Sequence, residues 1–348
     1  FELELLVLLD CLTSGMALFC VSHGRYVSKT DFDHLCWLAV DMRKGSPHSP
    51  PLAKELLTEH ILPFLRFHVL RQPIAASYWH TCALQDNGRL VCFGDNGIGQ
   101  SNAPEDVGFI VAVSAGWRFT CALQADGKVV CFGANTFGQC NVPDDLGPVT
   151  AVSAGWRHTC ALQEDGSLAC FGDDSFGQCC VPQGLSAMSV AAGGHHTVVL
   201  QCDGLVFCFG DNKFGQCDVP ADLGPVTLVA AGTSHTCVVS LGVLFCFGAN
   251  QYGQCDVPAS LGSIAAVAAG FGHTCVLQVD GELVCFGDNG NGQCDVPGDS
   301  GCVIAVAAGG DHTCAVRHDG RLICFGNNRS GQCNVPACLA PLRDAGRL

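Results

Sequence analysis

The stretch "AGWRHTCALQEDG", Ala154 to Gly166, decides the fold, because most of its letters return in seven copies along the chain. His-Thr-Cys and its equivalents begin at His80, Phe119, His158, His196, His235, His273 and His312, in steps of 38 or 39 residues. Cys-Phe-Gly recurs from Cys92, Cys131, Cys170, Cys208, Cys246, Cys285 and Cys324, and a Gly-Gln step ends at Gln100, Gln139, Gln178, Gln216, Gln254, Gln293 and Gln332. Self-similarity at a fixed period near 40 marks a repeat architecture, in which each unit buries its apolar face against its neighbours.

The unit reads as strands. "VTAVSAG", "HTCALQ" and "SLACFG" are short, rich in β-compatible and small apolar residues, and bounded by Gly, Asp and Pro. "EDG" (Glu164 to Gly166) suits a three-residue hairpin loop with Gly in the left-handed position. In the fifth copy that loop shrinks to Leu241-Gly242 and the Cys-to-Cys step falls from ten residues to nine, so Cys still stands opposite Cys and the register is kept. Seven such sheets predict a seven-bladed propeller, with an open solenoid as the alternative. The last copy ends at "QCNVPACLAPL" with no strand after it, and "RQPIAAS" (Arg71 to Ser77) precedes the first hairpin, so the two ends are expected to share one composite blade.

The pattern AG-x-x-HT-x-AL-x-x-DG-x-L-x-x-[FW]G-x-N-x-x-GQ resembles the repeat of the regulator of chromosome condensation superfamily over about residues 74–342. The resemblance implies a seven-bladed propeller and a protein-interaction role. Phe stands for the usual Trp before Gly (Phe132, Phe171), and "GQC[DN]VP" for the more familiar "GQLG".

Length and composition fit a folded chain: 348 residues, 48% hydrophobic, with 17 basic against 32 acidic residues and a net charge of −15. The residues before Ile74 carry 7 basic and 8 acidic groups, those after it 10 and 24. A domain of that sign repels phosphates and has no basic stripe, which argues against nucleic-acid binding. The run Leu5 to Val21 is interrupted by Asp10 and preceded by Glu2 and Glu4, which argues against a signal peptide or membrane helix.

A residue present in every copy is explained by the blade before any single site. The His-Thr pairs, glycines and glutamines are therefore read as scaffold, with His158 and its equivalents hydrogen-bonding backbone, and Asn96, Asn135, Asn212, Asn250, Asn289 and Asn328 in turns that need left-handed backbone. Of the 26 cysteines, six hairpins pair Cys82 with Cys92, Cys121 with Cys131, Cys160 with Cys170, Cys237 with Cys246, Cys275 with Cys285 and Cys314 with Cys324. The fourth sets Val198 against Cys208, as a small apolar position would, so reduced buried thiols are expected rather than disulfides. Cysteines that recur once per blade are spread around a ring and lack Cys-x-x-Cys spacing, so neither metal nor other cofactor is expected.

The two positions before each His-Thr vary most: Tyr78-Trp79, Trp117-Arg118, Trp156-Arg157, Gly194-His195, Thr233-Ser234, Phe271-Gly272 and Gly310-Asp311. Tyr78, Trp79, Trp117, Arg118, Trp156, Arg157 and Phe271 are the candidate partner-binding residues, because Trp, Tyr and Arg dominate binding hot spots. Filling gaps between blades is the competing role. No catalytic pair stands out, so a non-catalytic interaction scaffold is expected rather than an enzyme.

"GWRHT" is also similar to a motif of the plant ultraviolet-B photoreceptor, a member of the same superfamily in which clustered Trp absorb light. Trp156-Arg157 matches it fully, Trp117-Arg118 matches it up to Phe119, and Tyr78 stands where a third indole would be. The founding member of the superfamily implies a third possibility, nucleotide exchange on a small GTPase.

Residues 1–70 lie outside the repeat, and 343–348 form a tail. "SPPLAKELLTEHIL" (Ser49 to Leu62) predicts a helix with Ser49 at its cap and Pro63 at its stop. Glu4 to Trp37 is weakly similar to an F-box, which implies docking on a cullin-ligase adaptor and recruitment of substrates to a ubiquitin ligase. The expectation is thus a cytoplasmic or nuclear, all-β propeller preceded by a short, mainly helical segment.

Overall fold

The computed structural model describes residues 73–104, 106–339 and Leu342, together with the backbone of Val21–Ser22 and Arg25–Tyr26. The chain divides into two compact units, Phe1–Arg71 with Asp344–Leu348, and Gln72–Arg343. In the first, Val21–Ser22 pairs antiparallel with Arg25–Tyr26, a strand pair inside the stretch read as mainly helical. The helix expected over Ser49 to Leu62 lies outside the described residues.

The second unit is a ring of seven three-stranded antiparallel sheets. The first blade comprises Ile74–Ala76, His80–Leu84 and Leu90–Gly94, and the third Val149–Ala154, His158–Gln163 and Leu168–Gly172. Each middle strand begins at the His-Thr pair, or at Phe119-Thr120 in the second blade, and lies between an inner strand of small apolar residues and an outer strand ending in Phe-Gly. The inner strands pack one against the next around the whole circle, Val303–Ala308 of the seventh blade returning to Ile74–Ala76 of the first. Each of seven apolar clusters joins one pair of adjacent blades, so the core is a ring of interfaces rather than one interior.

Closure differs from the expectation of a shared blade. Ile74–Ala76 pairs with His80–Leu84 of its own hairpin, and each sheet is built from one continuous stretch. The ends meet by packing instead: Leu342 is buried with Ile74, Phe93 and Leu322, and its backbone N–H donates to Gly320 O at 2.6 Å. Ile74–Ala76 supplies an inner strand and Leu342 a plug, so neither has an unpaired half-sheet to complete.

The repeated letters join blades. His158 Nε2 lies 3.1 Å from Thr197 Oγ1 of the next blade, and the contact recurs from His80 to Thr120, His196 to Thr236, His235 to Thr274, His273 to Thr313 and His312 to Thr81. Each Thr hydroxyl donates to the carbonyl of the Gly-Gln glutamine in the preceding blade, as Thr197 does to Gln178 O at 2.8 Å. With its proton committed there, the hydroxyl can only accept from histidine, so Nε2 carries a hydrogen, while the buried Nδ1 has no hydrogen-bond partner. The histidines thus bond a side chain of the neighbouring blade, not the backbone expected for them. Phe119 breaks the series once, and the same interface is filled by its fully buried ring.

Glycine precedes this site because the imidazole lies on it: a Cβ on Gly155 would meet His158 Cε1 and Gly193 O at 2.4 Å. The glutamine side chain closes its own loop, Gln139 Oε1 accepting from Phe137 N at 2.9 Å. The asparagines act in the same way, Asn135 Oδ1 accepting from Cys140 N and Asn135 Nδ2 donating to Asn141 Oδ1. Their backbones are not left-handed as expected. Among the described residues, Leu241 is the one non-glycine with positive φ.

The cysteine pairs stand in register, Cys160 opposite Cys170 and Cys121 opposite Cys131, with Val198 opposite Cys208. All are free thiols, and in five hairpins the sulfurs lie 2.8–3.1 Å apart. The cysteine after Gly-Gln donates to the carbonyl six residues earlier, as Cys140 does to Ala134 O, and burial above all pushes the Cys140 thiol up to about 12. Such thiols are poor nucleophiles.

Candidate functional site: an aromatic face with two arginines

Pairing of His80 with Gly94, and of its equivalents, puts two loops at one end of every blade: the residues before the His-Thr pair and the turn running to Gly-Gln. A chain of backbone hydrogen bonds draws the first set of loops together. Trp117 N donates to Gly155 O, Trp156 N to Gly194 O, Phe271 N to Gly309 O and Gly310 N to Ser77 O. Between the first and second blades the Ser77 hydroxyl takes over, donating to Gly116 O.

All seven candidate residues converge on this face, each half-buried. Trp79, Trp117 and Trp156 form a row with centroids 5.8 Å and 6.2 Å apart. Tyr78 packs edge-on against Trp79 at 5.2 Å, Trp156 at 6.2 Å and Phe271 at 5.4 Å. Those partners belong to the first, third and sixth blades, so the Tyr78 ring reaches across the axis and caps the centre of the face. The third indole, which "GWRHT" spacing places at Tyr78, is supplied one position later by Trp79.

Arg118 lies over Trp79 at 4.9 Å and Trp117 at 5.4 Å, and Arg157 over Trp117 at 5.2 Å and Phe137 at 4.5 Å. The two guanidiniums therefore share the Trp117 ring. Among the described residues neither forms an ion pair or donates a side-chain hydrogen bond, and the Nε of each is buried without a partner. They line a groove of about 150 Å³ with Ile98, Phe137 and Trp156.

A second set of residues, missed in the repeat, surrounds this cluster. The position before Gly-Gln holds Ile98, Phe137, Phe176, Phe214 and Tyr252 in five successive blades, all exposed, and then Asn291 and Ser330. Phe176 lies 4.9 Å from His195, which in turn lies 5.0 Å from Trp156, and Tyr252 lies 6.3 Å from Phe271. The signal was present as [FYI]-G-Q beside the Gly-Gln anchor, where the constant glutamine draws attention from its variable neighbour.

Burial, then Asp311, raises the Tyr78 hydroxyl, and burial lowers His195 against the pull of Asp173, so both are neutral near pH 7. Burial pushes Asp173 up, but hydrogen bonds from Ser175, with His195 and Arg157 nearby, outweigh it and keep the carboxyl below its usual range. Its Oδ1 is engaged by Ser175. The face thus presents indole, phenyl and phenol surface with two guanidiniums, an arrangement suited to binding. Among the described residues, no group of three or more His, Cys, Asp or Glu gathers as a metal ion would need.

The chain belongs to the regulator of chromosome condensation family. The regulator of chromosome condensation (RCC1) repeat matches residues 74–100, 110–139, 149–178, 189–216, 264–293 and 303–332. The blade it passes over is the fifth, whose hairpin is shortened at Leu241-Gly242, yet Val226–Ala231, His235–Ser240 and Val243–Gly248 complete the sheet. Solved structures share the fold. The entire ectodomain of the receptor kinase CR4 from Physcomitrella patens is 22% identical over 74% of this chain and 73% of that one, with a TM-score of 0.64. The ectodomain of the receptor kinase ACR4 from Arabidopsis thaliana is 24% identical over 73% and 97%, with a TM-score of 0.62. Prp20p from Saccharomyces cerevisiae is 18% identical over 81% and 87%, with a TM-score of 0.64. Among curated proteins, none matches.

Proposed function

We propose that this chain is a non-catalytic protein-interaction propeller that docks its partner on the aromatic face. One observation carries the reading: Tyr78, Trp79, Trp117, Arg118, Trp156, Arg157 and Phe271, scattered over nearly 200 residues, gather at the centre of one face inside an arc of exposed apolar side chains. Blade packing would require neither exposed phenyls nor unpaired guanidiniums. The description of Prp20p names binding to Gsp1p and histones, which is in keeping with protein partners for this fold. The test is quantitative mass spectrometry of co-purifying proteins, comparing the wild type with a Trp117→Ala, Trp156→Ala, Arg157→Ala variant of equal thermal stability. Selective loss of partners supports the reading, and an unchanged list returns these residues to packing.

Of the F-box-like stretch Glu4 to Trp37, only the strand pair Val21–Ser22 and Arg25–Tyr26 falls among the described residues; with such a box, the chain would recruit substrates to a ubiquitin ligase through a cullin adaptor. Direct binding of a purified adaptor to the full chain tests that step. Free thiols fit the cytoplasm or nucleus, which imaging of a tagged chain checks. The row of three indoles beneath two guanidiniums favours a second reading, light sensing. A change in tryptophan emission or oligomeric state after ultraviolet-B illumination would be its signature. Nucleotide exchange on a small GTPase rests on the fold alone, and a nucleotide-release assay with a purified GTPase decides it.

A further inference from the structure

The unpaired arginines narrow the partner's chemistry, granted the docking reading above. Arg118 and Arg157 are like charges held over one Trp117 ring; among the described residues neither donates a side-chain hydrogen bond, and the carboxylate near Arg157, that of Asp173, has its Oδ1 taken by Ser175. Two guanidiniums so placed leave forked donors free and repel each other until an anion comes between them. They belong to a chain of net charge −15, so these cations stand apart from the general surface and are not a basic field for a nucleic-acid backbone. The groove they line, about 150 Å³, has side-chain dimensions; Thr136 and Gln139 are its other polar residues and the rest of its lining is apolar, with Ile98 and Phe137 exposed at its edge. Stacking on Trp79, Trp117 and Phe137 holds the guanidinium planes in place before anything binds, which limits the ordering cost of the forks.

We infer that the groove takes an acidic segment of a partner protein, one Asp or Glu carboxylate lying between Arg118 and Arg157 and an adjacent apolar residue resting on Phe137 and Ile98. Charge complementarity sets the carboxylate, and the apolar rim sets its neighbour.

Selection of a random phage-displayed peptide library on the full chain, followed by tryptophan-fluorescence titration of the enriched peptides, tests this. The expected peptides share Asp or Glu beside an aromatic or aliphatic residue. Changing that acid to its amide weakens binding about tenfold, Arg118→Gln and Arg157→Gln each do the same, and the peptide and protein changes combined cost less than their product. Arg157→Lys, which keeps charge but loses the fork, gives an intermediate loss. Equal thermal midpoints exclude misfolding as the cause. Failure to enrich peptides, enrichment without an acid, or affinities indifferent to both arginines overturns the inference. If Trp117→Ala abolishes binding while both Gln variants bind normally, the docking face stands and the carboxylate falls. If all three variants bind as wild type, both readings fall.

Discussion

His312 in the last blade lies with its Nε2 2.8 Å from Thr81 Oγ1 in the first, and Thr81 in turn donates to Gln332 O at 2.8 Å. The junction of the two ends is thus made by the same three groups that join consecutive blades. Thr81→Val removes one hydroxyl and leaves two buried groups, the His312 N–H and the Gln332 carbonyl, without partners. The expected loss is about 2–4 kcal/mol in denaturant unfolding, with Thr81→Ser retaining most of the stability. A loss below about 1 kcal/mol would mean that water reaches the junction and that packing around Leu342 closes the ring.

Gly155 is a steric requirement. Its absent Cβ would stand 2.4 Å from both the His158 ring and the Gly193 carbonyl, and neither is a flexible chain end. Gly155→Ala should therefore cost about 3 kcal/mol or more by separating the third and fourth blades. Gly184→Ala is not a clean control despite open space, because its φ of 78° is unfavourable for alanine. Gly298 has open space and no positive φ, so Gly298→Ala should stay within about 0.5 kcal/mol in the same thermal assay.

The blades were legible because strand chemistry repeats locally: a hairpin loop, two facing cysteines and a fixed period specify register within about 20 residues. The His-to-Thr contact was not, since it joins residues one repeat apart and a strictly periodic sequence matches every His to its own Thr as readily as to the next. Closure misled for a related reason. A missing strand in the pattern suggested an exchanged one, whereas Leu342 fills the gap by packing. At the candidate site the aromatic residues could be singled out by their departure from the repeat. Their meeting could not, because contact between Tyr78 and Phe271 depends on the narrowness of the axis, a property of the closed ring.

In the shortened hairpin Leu241 precedes the left-handed Gly242 and itself occupies a left-handed conformation, φ 51°, and 76% of it is exposed. Its side chain has little packing to lose, while a branched residue in that region costs roughly 1–2 kcal/mol. Leu241→Gly is expected to stabilise the propeller by about 1 kcal/mol, read as a higher denaturation midpoint with an unchanged slope. No gain would imply that the contact of Leu241 near Gly224 offsets the strain.

His196 makes stability depend on pH. Burial above all, reinforced by neighbouring histidines, lowers its pKa from 6.5 to about 3. The folded state therefore keeps it neutral while the unfolded chain binds a proton as pH falls below 6.5. The stabilisation is complete above that value, declines on acidification and is exhausted once pH passes below about 3. Between pH 7 and pH 5 this one group should remove about 2 kcal/mol. His196→Phe isolates the effect, because Phe119 already fills the equivalent position in the second blade with no exposure. The variant should lose some stability at pH 7, where the bond to Thr236 is gone, and its unfolding free energy should fall less steeply toward pH 5 than that of the wild type. Parallel pH curves would show that His196 carries its proton in both states or in neither.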